Sequence, residues 1–193
     1  MKSKFGQKFR IISAIEKNDF RLLAHLLVTQ NHPPNKPVDK LGNNILLVAC
    51  SIGSIPMVQF IQSTYHLDIQ EYNTDGMNAM HLAACNGHLK MIKWLDQQGV
   101  DTESKTIYFN RTSYDFISEM LHKNEPPDGA SVMTPKIRQR LIKIKNYLRA
   151  RYFESQRGYE IRKFLWIFQQ LKNKGRDFGK LPDGVVQQIA EYI

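Results

Sequence analysis

The sequence is short of the residues that several classes of protein require. Its 193 residues contain only 2 cysteines, and their placement suggests no disulfide framework, so we expect a reducing compartment. There is no run of about 18 apolar residues of the kind that spans a membrane. The first residues are basic, but no apolar stretch long enough for a secretory signal follows them. We therefore expect a soluble protein without a cleaved signal peptide.

The patterns that mark common catalytic and metal sites are also missing. The 6 histidines show no metal-ligand spacing with cysteine or carboxylate residues. The sequence contains no phosphate-binding glycine loop, nucleophile elbow or His-Glu-x-x-His pattern. We predict a non-catalytic protein with no cofactor and no bound metal.

Acidic residues are scarce in one segment only. Residues 1–133 contain 13 Lys and Arg and 13 Asp and Glu, whereas residues 134–176 contain 13 Lys and Arg and only 2 Asp and Glu. This segment therefore accounts for the formal net charge of +9.

A repeating helical pattern occupies the first two thirds of the chain. In residues 73–105, one short apolar face ends at Gly87-His88 and a second begins just after it. The first face contains Met80, Ala83 and Ala84, and the second contains Leu89, Met91, Ile92 and Leu95. This pattern predicts two short antiparallel helices. One such pair cannot bury its own apolar face, so further copies are expected.

This stretch resembles the ankyrin repeat. Ten positions match in order, namely Gly76, His81, Ala83, Ala84, Gly87, His88, Ile92, Leu95, Gly99 and Asp101. A second copy lies 34 residues earlier, with Gly42 under Gly76 and Gly53 under Gly87, and degenerate copies lie at both ends. The resemblance implies an all-α ankyrin-repeat solenoid of about four repeats in residues 1–125. It also implies that His81 ties neighbouring turns together and has no catalytic role.

A helical extension is predicted after the Pro126-Pro127 break. Thr134 and Pro135 are typical of a helix start, and a stop is predicted near Gly158. Residues 134–176 are thus expected to form a basic helical hairpin, with a second helix at 159–173. We expect that second helix to pack on the first and cap the stack, where it replaces the missing outer helix of the fourth repeat.

The basic helix leaves two interpretations open. Its charges can form an ordinary solvated face, or they can bind nucleic acid, an acidic lipid or an acidic protein. The candidate anion-binding residues are Arg138, Arg140, Lys143, Lys145 and Arg149.

The last stretch, residues 181–193, resembles the opening helix of an F-box. The matching residues, which are candidates for binding a Skp-type adaptor, are Leu181, Pro182, Val185, Ile189 and Tyr192. Gly184 stands where Glu is usual, and the other F-box helices are absent. This stretch either recruits an adaptor of a host ubiquitin ligase or is a terminal helix that packs on the domain.

The ankyrin resemblance also implies where a protein partner binds. In such repeats the hairpin tips and the free side of the inner helices line a concave surface. The corresponding candidates here are Lys40, Leu41, Asn43, Ile52, Thr74, Asp75, Met77, Asn86, Tyr108, Phe109 and Arg111. Several are apolar where solvation alone would favour polar residues. Tyr108 and Phe109 have an alternative, in which they fold onto the C-terminal helices.

The chain as a whole resembles ankyrin effectors that intracellular bacteria deliver into host cells, with poxvirus ankyrin proteins as the second candidate. The resemblance implies a monomeric, secreted interaction module. It would act in the cytosol or nucleus of a eukaryotic host, where it binds a host protein through the concave ankyrin face.

Overall fold

The structure, a computed structural model, describes residues 4–127 and 132–173. Apart from an isolated bridge between Tyr72 and Asn78, the regular structure of these residues is helical. The helices are α1 (Lys4–Glu16), α2 (Phe20–Thr29), α3 (Ile45–Ile52), α4 (Ile55–Tyr65), α5 (Ala79–Cys85), α6 (Leu89–Gln97), α7 (Ser113–Lys123) and α8 (Pro135–Asn173). The predicted all-α class is confirmed.

Short polar residues set where several of these helices begin. The Asn44 and Ser54 side chains accept hydrogen bonds from the backbone N–H groups of Leu47 and Met57, at 2.9 and 3.2 Å. Asp19, Asn78 and Thr112 do the same for α2, α5 and α7. Such caps satisfy N–H groups that have no partner inside the helix. They account for helices as short as those of this chain.

The helices form stacked pairs. The inner helices α1, α3, α5 and α7 contact one another in sequence, and the outer helices α2, α4 and α6 each pack on the inner helix that precedes them. The core is continuous through the stack and includes Ile45, Leu46, Met80, Ala83 and Ile92, all fully buried. This is the solenoid that the repeat pattern predicts, with a degenerate first copy formed by α1 and α2.

Between the pairs, the chain forms hairpin turns that recur every 34 residues. Backbone N–H groups of Val38, Asn73 and Thr106 donate to the carbonyls of Asn43, Met77 and Arg111, at 2.8, 3.0 and 3.0 Å. Neighbouring hairpins are also bonded to each other. The Thr74 hydroxyl donates to the Leu41 carbonyl (2.8 Å), and the Ile107 N–H donates to the Asp75 carbonyl (3.0 Å). The three tips therefore form one row along the stack.

His81 belongs to this framework, as the resemblance implies. Its Nε2 donates to the Arg111 carbonyl (3.2 Å), and its Nδ1 lies 3.3 Å from the backbone nitrogen and 2.7 Å from the side-chain oxygen of Asn78. The ring is fully buried, and burial lowers the pKa of His81 below its ordinary value. The histidine thus joins the start of α5 to the third hairpin, and its lowered pKa favours the neutral form.

We expect acid to destabilise the domain partly through His81. Because folding lowers its pKa from 6.5, the unfolded chain binds the proton more tightly, and the free energy of unfolding falls as the pH drops below 6.5. The loss is at most about 1.4 kcal/mol per pH unit for one proton. Urea unfolding at neutral and mildly acidic pH measures it.

The matched variants for this test are His81→Gln and, as a control, His25→Gln in an exposed position on α2. The loss of stability on acidification is expected to shrink in His81→Gln and to stay as in the wild type in His25→Gln. An unchanged acid response in His81→Gln would contradict this role.

The first part of α8 covers the end of the stack. Leu141, Ile144 and Leu148 are buried in the same core as the repeats. The Tyr147 hydroxyl donates to Asp96 of α6 at 2.5 Å, and Arg140 lies over Gly87 in the turn between α5 and α6. Residues 135–148 therefore take the place of an outer helix for the fourth repeat.

The predicted helical hairpin in residues 134–176 is wrong. The structure has one helix, α8, from Pro135 to Asn173, and it passes through Gly158 without a break. A single glycine inside a helix costs only about 1 kcal/mol relative to alanine, so it does not by itself stop a helix. The helix start at Thr134 is confirmed, since its hydroxyl accepts from the backbone N–H of Ile137 at 3.3 Å.

The chain divides into two units, Met1–Leu148 and Arg149–Ile193. In the second unit, the Arg149 guanidinium lies 5.5 Å from the centre of the Phe153 ring, and Arg151 pairs with Glu154 at 2.7 Å. Among the helices described, none is both long and apolar enough to cross a membrane. The predicted F-box-like helix, residues 181–193 with all its adaptor-binding candidates, lies outside the described residues.

Candidate protein-binding surface

The hairpin tips at residues 39–43, 73–77 and 106–111, which we call the tip row, hold most of the candidate binding residues. Tyr108 and Phe109 are 71% and 65% exposed, so they do not fold onto the helices of the first unit. Leu41 is also exposed, at the opposite end of the row. Three large apolar side chains in solvent are costly unless something covers them, which makes this row the strongest candidate for an interface.

Arg111 holds the most exposed tip in place. Its guanidinium pairs with Glu119 of α7 and lies 5.6 Å from the centre of the Phe109 ring. The arginine is therefore fixed on one side by a carboxylate and supports the aromatic ring on the other. Phe109 is exposed yet has this guanidinium beside its ring, and a side chain that is already held loses less entropy on binding.

The polar candidates surround the apolar ones. Lys40 and Thr74 are exposed and Asp75 is half-buried, so charges of both signs accompany the apolar side chains. An aromatic centre with a polar rim is the usual anatomy of a protein interface.

Asn43 is not part of this surface, contrary to the sequence-based prediction. It is only 2% exposed, and its side-chain amide donates to Asp39 (2.7 Å) while its carbonyl oxygen accepts from Asn73 (3.0 Å). The first bond closes the first hairpin, and the second joins it to the next hairpin. A buried asparagine needs such partners, and here they assign it to the framework.

The remaining candidates are only partly available. Ile52 and Met77 are half-buried and pack against the core, and Asn86 donates its amide to the Leu82 carbonyl at 2.9 Å. Met77 lies at the edge of the tip row and Ile52 and Asn86 lie outside it, and all three offer limited area. The contact surface therefore depends on the tips more than on the inner helices.

The sequence-based prediction did not include two exposed apolar residues at or beside the tips. Ile107 is 70% exposed, and Tyr72, at the base of the second hairpin, is also exposed. The signal for Ile107 was present, because it begins an uninterrupted Ile-Tyr-Phe run in a turn. No sequence signal indicated Tyr72, because it precedes the hairpin and is a single aromatic residue between polar ones.

Four of the five anion-binding candidates lie in the first unit, and these four do not form one surface. The Arg138 guanidinium donates to Asn124 just after α7 (3.1 Å), and the Lys145 ammonium lies 5.5 Å from the centre of the Tyr114 ring. Arg140 lies over Gly87, beside α6, and Lys143 is exposed. Arg149 belongs to the second unit. The predicted stripe is thus divided between two sides of α8.

The comparison with known families agrees with this geometry. Residues 11–106 match the family model for ankyrin repeats, in three copies. This stretch is an ankyrin-repeat domain, and ankyrin repeats in general are protein-interaction modules that do not catalyse reactions. The fourth inner helix, α7, and the covering part of α8 lie beyond the match.

Two curated relatives share part of this sequence. Alpha-latrocrustotoxin-Lt1a from Latrodectus tredecimguttatus is 29% identical over 99 residues, which is 51% of this chain and 7% of that protein. Alpha-latroinsectotoxin-Lt1a from the same organism is 32% identical over 97 residues, which is 50% of this chain and again 7% of the relative. The chain therefore spans a small fraction of the relatives it matches.

Proposed function

We propose that this protein binds another protein through the tip row, without catalysis, and that Phe109 and Tyr108 are the central anchors. The observation that carries the proposal is the exposure of the Ile107-Tyr108-Phe109 run on a tip that Arg111 and Glu119 hold in place. Exposed aromatic residues on an ordered scaffold supply large contact area at low entropic cost. The ankyrin-repeat match supports the same class of function.

We further propose that the partner is a protein of a eukaryotic host and that this chain acts as an effector. The support is the resemblance in sequence to ankyrin effectors, together with the two relatives, both of which are named toxins. Under this proposal, the tip row captures a partner from eukaryotic lysate and none from bacterial lysate. Capture of the same kind of partner from bacterial lysate would contradict the assignment to a eukaryotic host, but it would not contradict the binding surface.

The Phe109→Ala variant tests the binding surface. Loss of a central aromatic anchor is expected to cost about 2 kcal/mol or more, which is about a 30-fold rise in Kd. The measurement is capture from eukaryotic lysate, followed by titration of the purified partner against the variant.

Phe9→Ala is the matched control, because Phe9 is the same residue type with 67% exposure and lies on α1, where no hairpin tip precedes the helix. The control should bind as the wild type does, and both variants should melt like it. Equal affinity of Phe109→Ala and wild type would rule out the tip row as the principal contact.

A further inference from the structure

One surface of the first unit carries an excess of positive charge. It is formed by α6 and the first part of α8, which lie side by side. Arg140 lies over the turn before α6, and Tyr147 bonds to Asp96 near the end of α6, so the two helices run in the same direction along this contact. The surface is separate from the tip row, which lies between the helix pairs.

The cations of this surface come from both helices. Lys90 and Lys93 of α6 and Lys143 of α8 are exposed, and so is Arg140 at the edge. The Lys93 ammonium lies 5.5 Å from the centre of the Tyr147 ring, which brings it to the seam between the helices. Lys90 and Lys93 on α6, and Arg140 and Lys143 on α8, are each three residues apart, so each pair lies on one side of its helix.

Counter-charges are nearly absent from these two elements. The sequence of α6 contains one acidic residue, Asp96, and residues 135–148 contain none. Asp96 accepts a hydrogen bond from the Tyr147 hydroxyl. The two salt bridges described in the first unit, Arg111–Glu119 and Lys123–Glu119, both involve Glu119 of α7. Four cations thus remain close together, which a folded protein tolerates but does not gain from.

We propose that this platform, Lys90, Lys93, Arg140 and Lys143, binds the phosphate backbone of a nucleic acid. The choice among polyanions follows from what the surface lacks. Among the described residues of α6 and of 135–148, Ile142 is the one exposed large apolar side chain, at 41%, whereas stable attachment to a membrane surface needs more extensive apolar insertion or a lipid anchor in addition to charge. Specific capture of an acidic peptide likewise needs buried anchors.

Binding of a nucleic acid requires neither apolar insertion nor a buried anchor residue. Its phosphates attract Lys and Arg without any apolar contact, and release of condensed counterions supplies the affinity. The platform is expected to bind without sequence preference, because four cations on the outside of a helix pair contact phosphates and no base edge.

The test uses fluorescence anisotropy of a labelled single-stranded oligonucleotide with the full chain at increasing salt. The wild type should bind at about 50 mM salt and lose most of its affinity by about 200 mM. The triple variant Lys90→Gln, Lys93→Gln and Lys143→Gln is expected to bind about tenfold more weakly. Its negative slope of log affinity against log salt should become shallower by about 2, since each of the three lost phosphate contacts contributes about 0.7.

The matched control removes the same number of charges elsewhere, in Lys17→Gln, Arg21→Gln and Lys36→Gln, three exposed positions in and after the first repeat. It should bind almost as the wild type does. Equal losses in the two triple variants would overturn the platform and leave only a net-charge effect. Phosphatidylserine vesicles and polyglutamate serve as competitors.

Absence of oligonucleotide binding at low salt would overturn the proposal. So would tighter binding to the vesicles or to polyglutamate. Neither result bears on the tip row, whose Phe109→Ala test is independent of this surface.

Discussion

Replacing Gly76 with alanine is expected to lower the free energy of unfolding by about 3 kcal/mol. Gly76 has φ of +74°, a conformation that costs a residue with a Cβ about 1–2 kcal/mol. Added to this, the new Cβ would lie 2.6 Å from Ile107 Cγ1 and 2.8 Å from the Ile107 backbone nitrogen. Because that nitrogen donates to Asp75, relief of the clash would pull apart two hairpins.

The Gly99→Ala variant separates the cost of the backbone conformation from the cost of the clash with Ile107. Gly99 has nearly the same φ, +75°, but nothing lies within 4 Å of its added Cβ. It should therefore lose only the conformational part, about 1 kcal/mol. Chemical denaturation of both variants gives the comparison, and equal losses would show that Ile107 does not pack on Gly76 in solution. The Gly76 variant should also weaken partner binding, because it displaces the tip that carries Phe109.

Replacing Leu141 with alanine is expected to cost about 2–5 kcal/mol. Leu141 is fully buried in the core that α8 shares with the repeats, and the truncation leaves a cavity there. The same loss is not expected for a helix that only touches the surface. This variant therefore tests whether residues 135–148 are part of the folded domain.

Its neighbour Ile142 is the matched control, since it is 41% exposed on the same helix. Ile142→Ala should change the free energy of unfolding by less than about 1 kcal/mol. Thermal or urea unfolding of the pair measures the difference. Similar small losses in both variants would mean that the first part of α8 does not cover the stack.

The repeat period made most of the stack predictable. Gly42, Gly76 and the Gly53 and Gly87 breaks recur because each is needed at a turn, and the apolar faces between them follow from helix geometry. The helix pair predicted in residues 73–105 corresponds to α5 and α6, and the copy predicted 34 residues earlier corresponds to α3 and α4. Degenerate copies were also predicted at both ends, where the structure has α1 and α2 before the matching repeats and α7 after them.

The C-terminal extension was predicted less well, and the main error in that prediction came from one residue. Gly158 is a weak helix stop, and the apolar residues after it were expected to need a partner helix. The role of residues 141–148 as the missing outer helix depends on contacts with α6, such as Tyr147 with Asp96, 51 residues apart in sequence. No local pattern encodes such a contact.

The candidate site was likewise predictable where a local pattern was enough and not where long-range packing decided. Tyr108 and Phe109 were predicted because apolar residues in a turn are conspicuous, although their exposure could not be decided without the fold. Asn43 was misassigned because a polar residue at a hairpin reads as exposed. In fact it bridges to Asn73, whose place beside it depends on how the hairpins stack.

Hydrogen exchange of the full chain, with and without the purified partner, tests the proposed binding surface most directly. The account predicts added protection at residues 39–43, 73–77 and 106–111, with the largest change around Ile107 and Phe109. Protection confined to the outer helices α2, α4 and α6, with the tips unchanged, would contradict it.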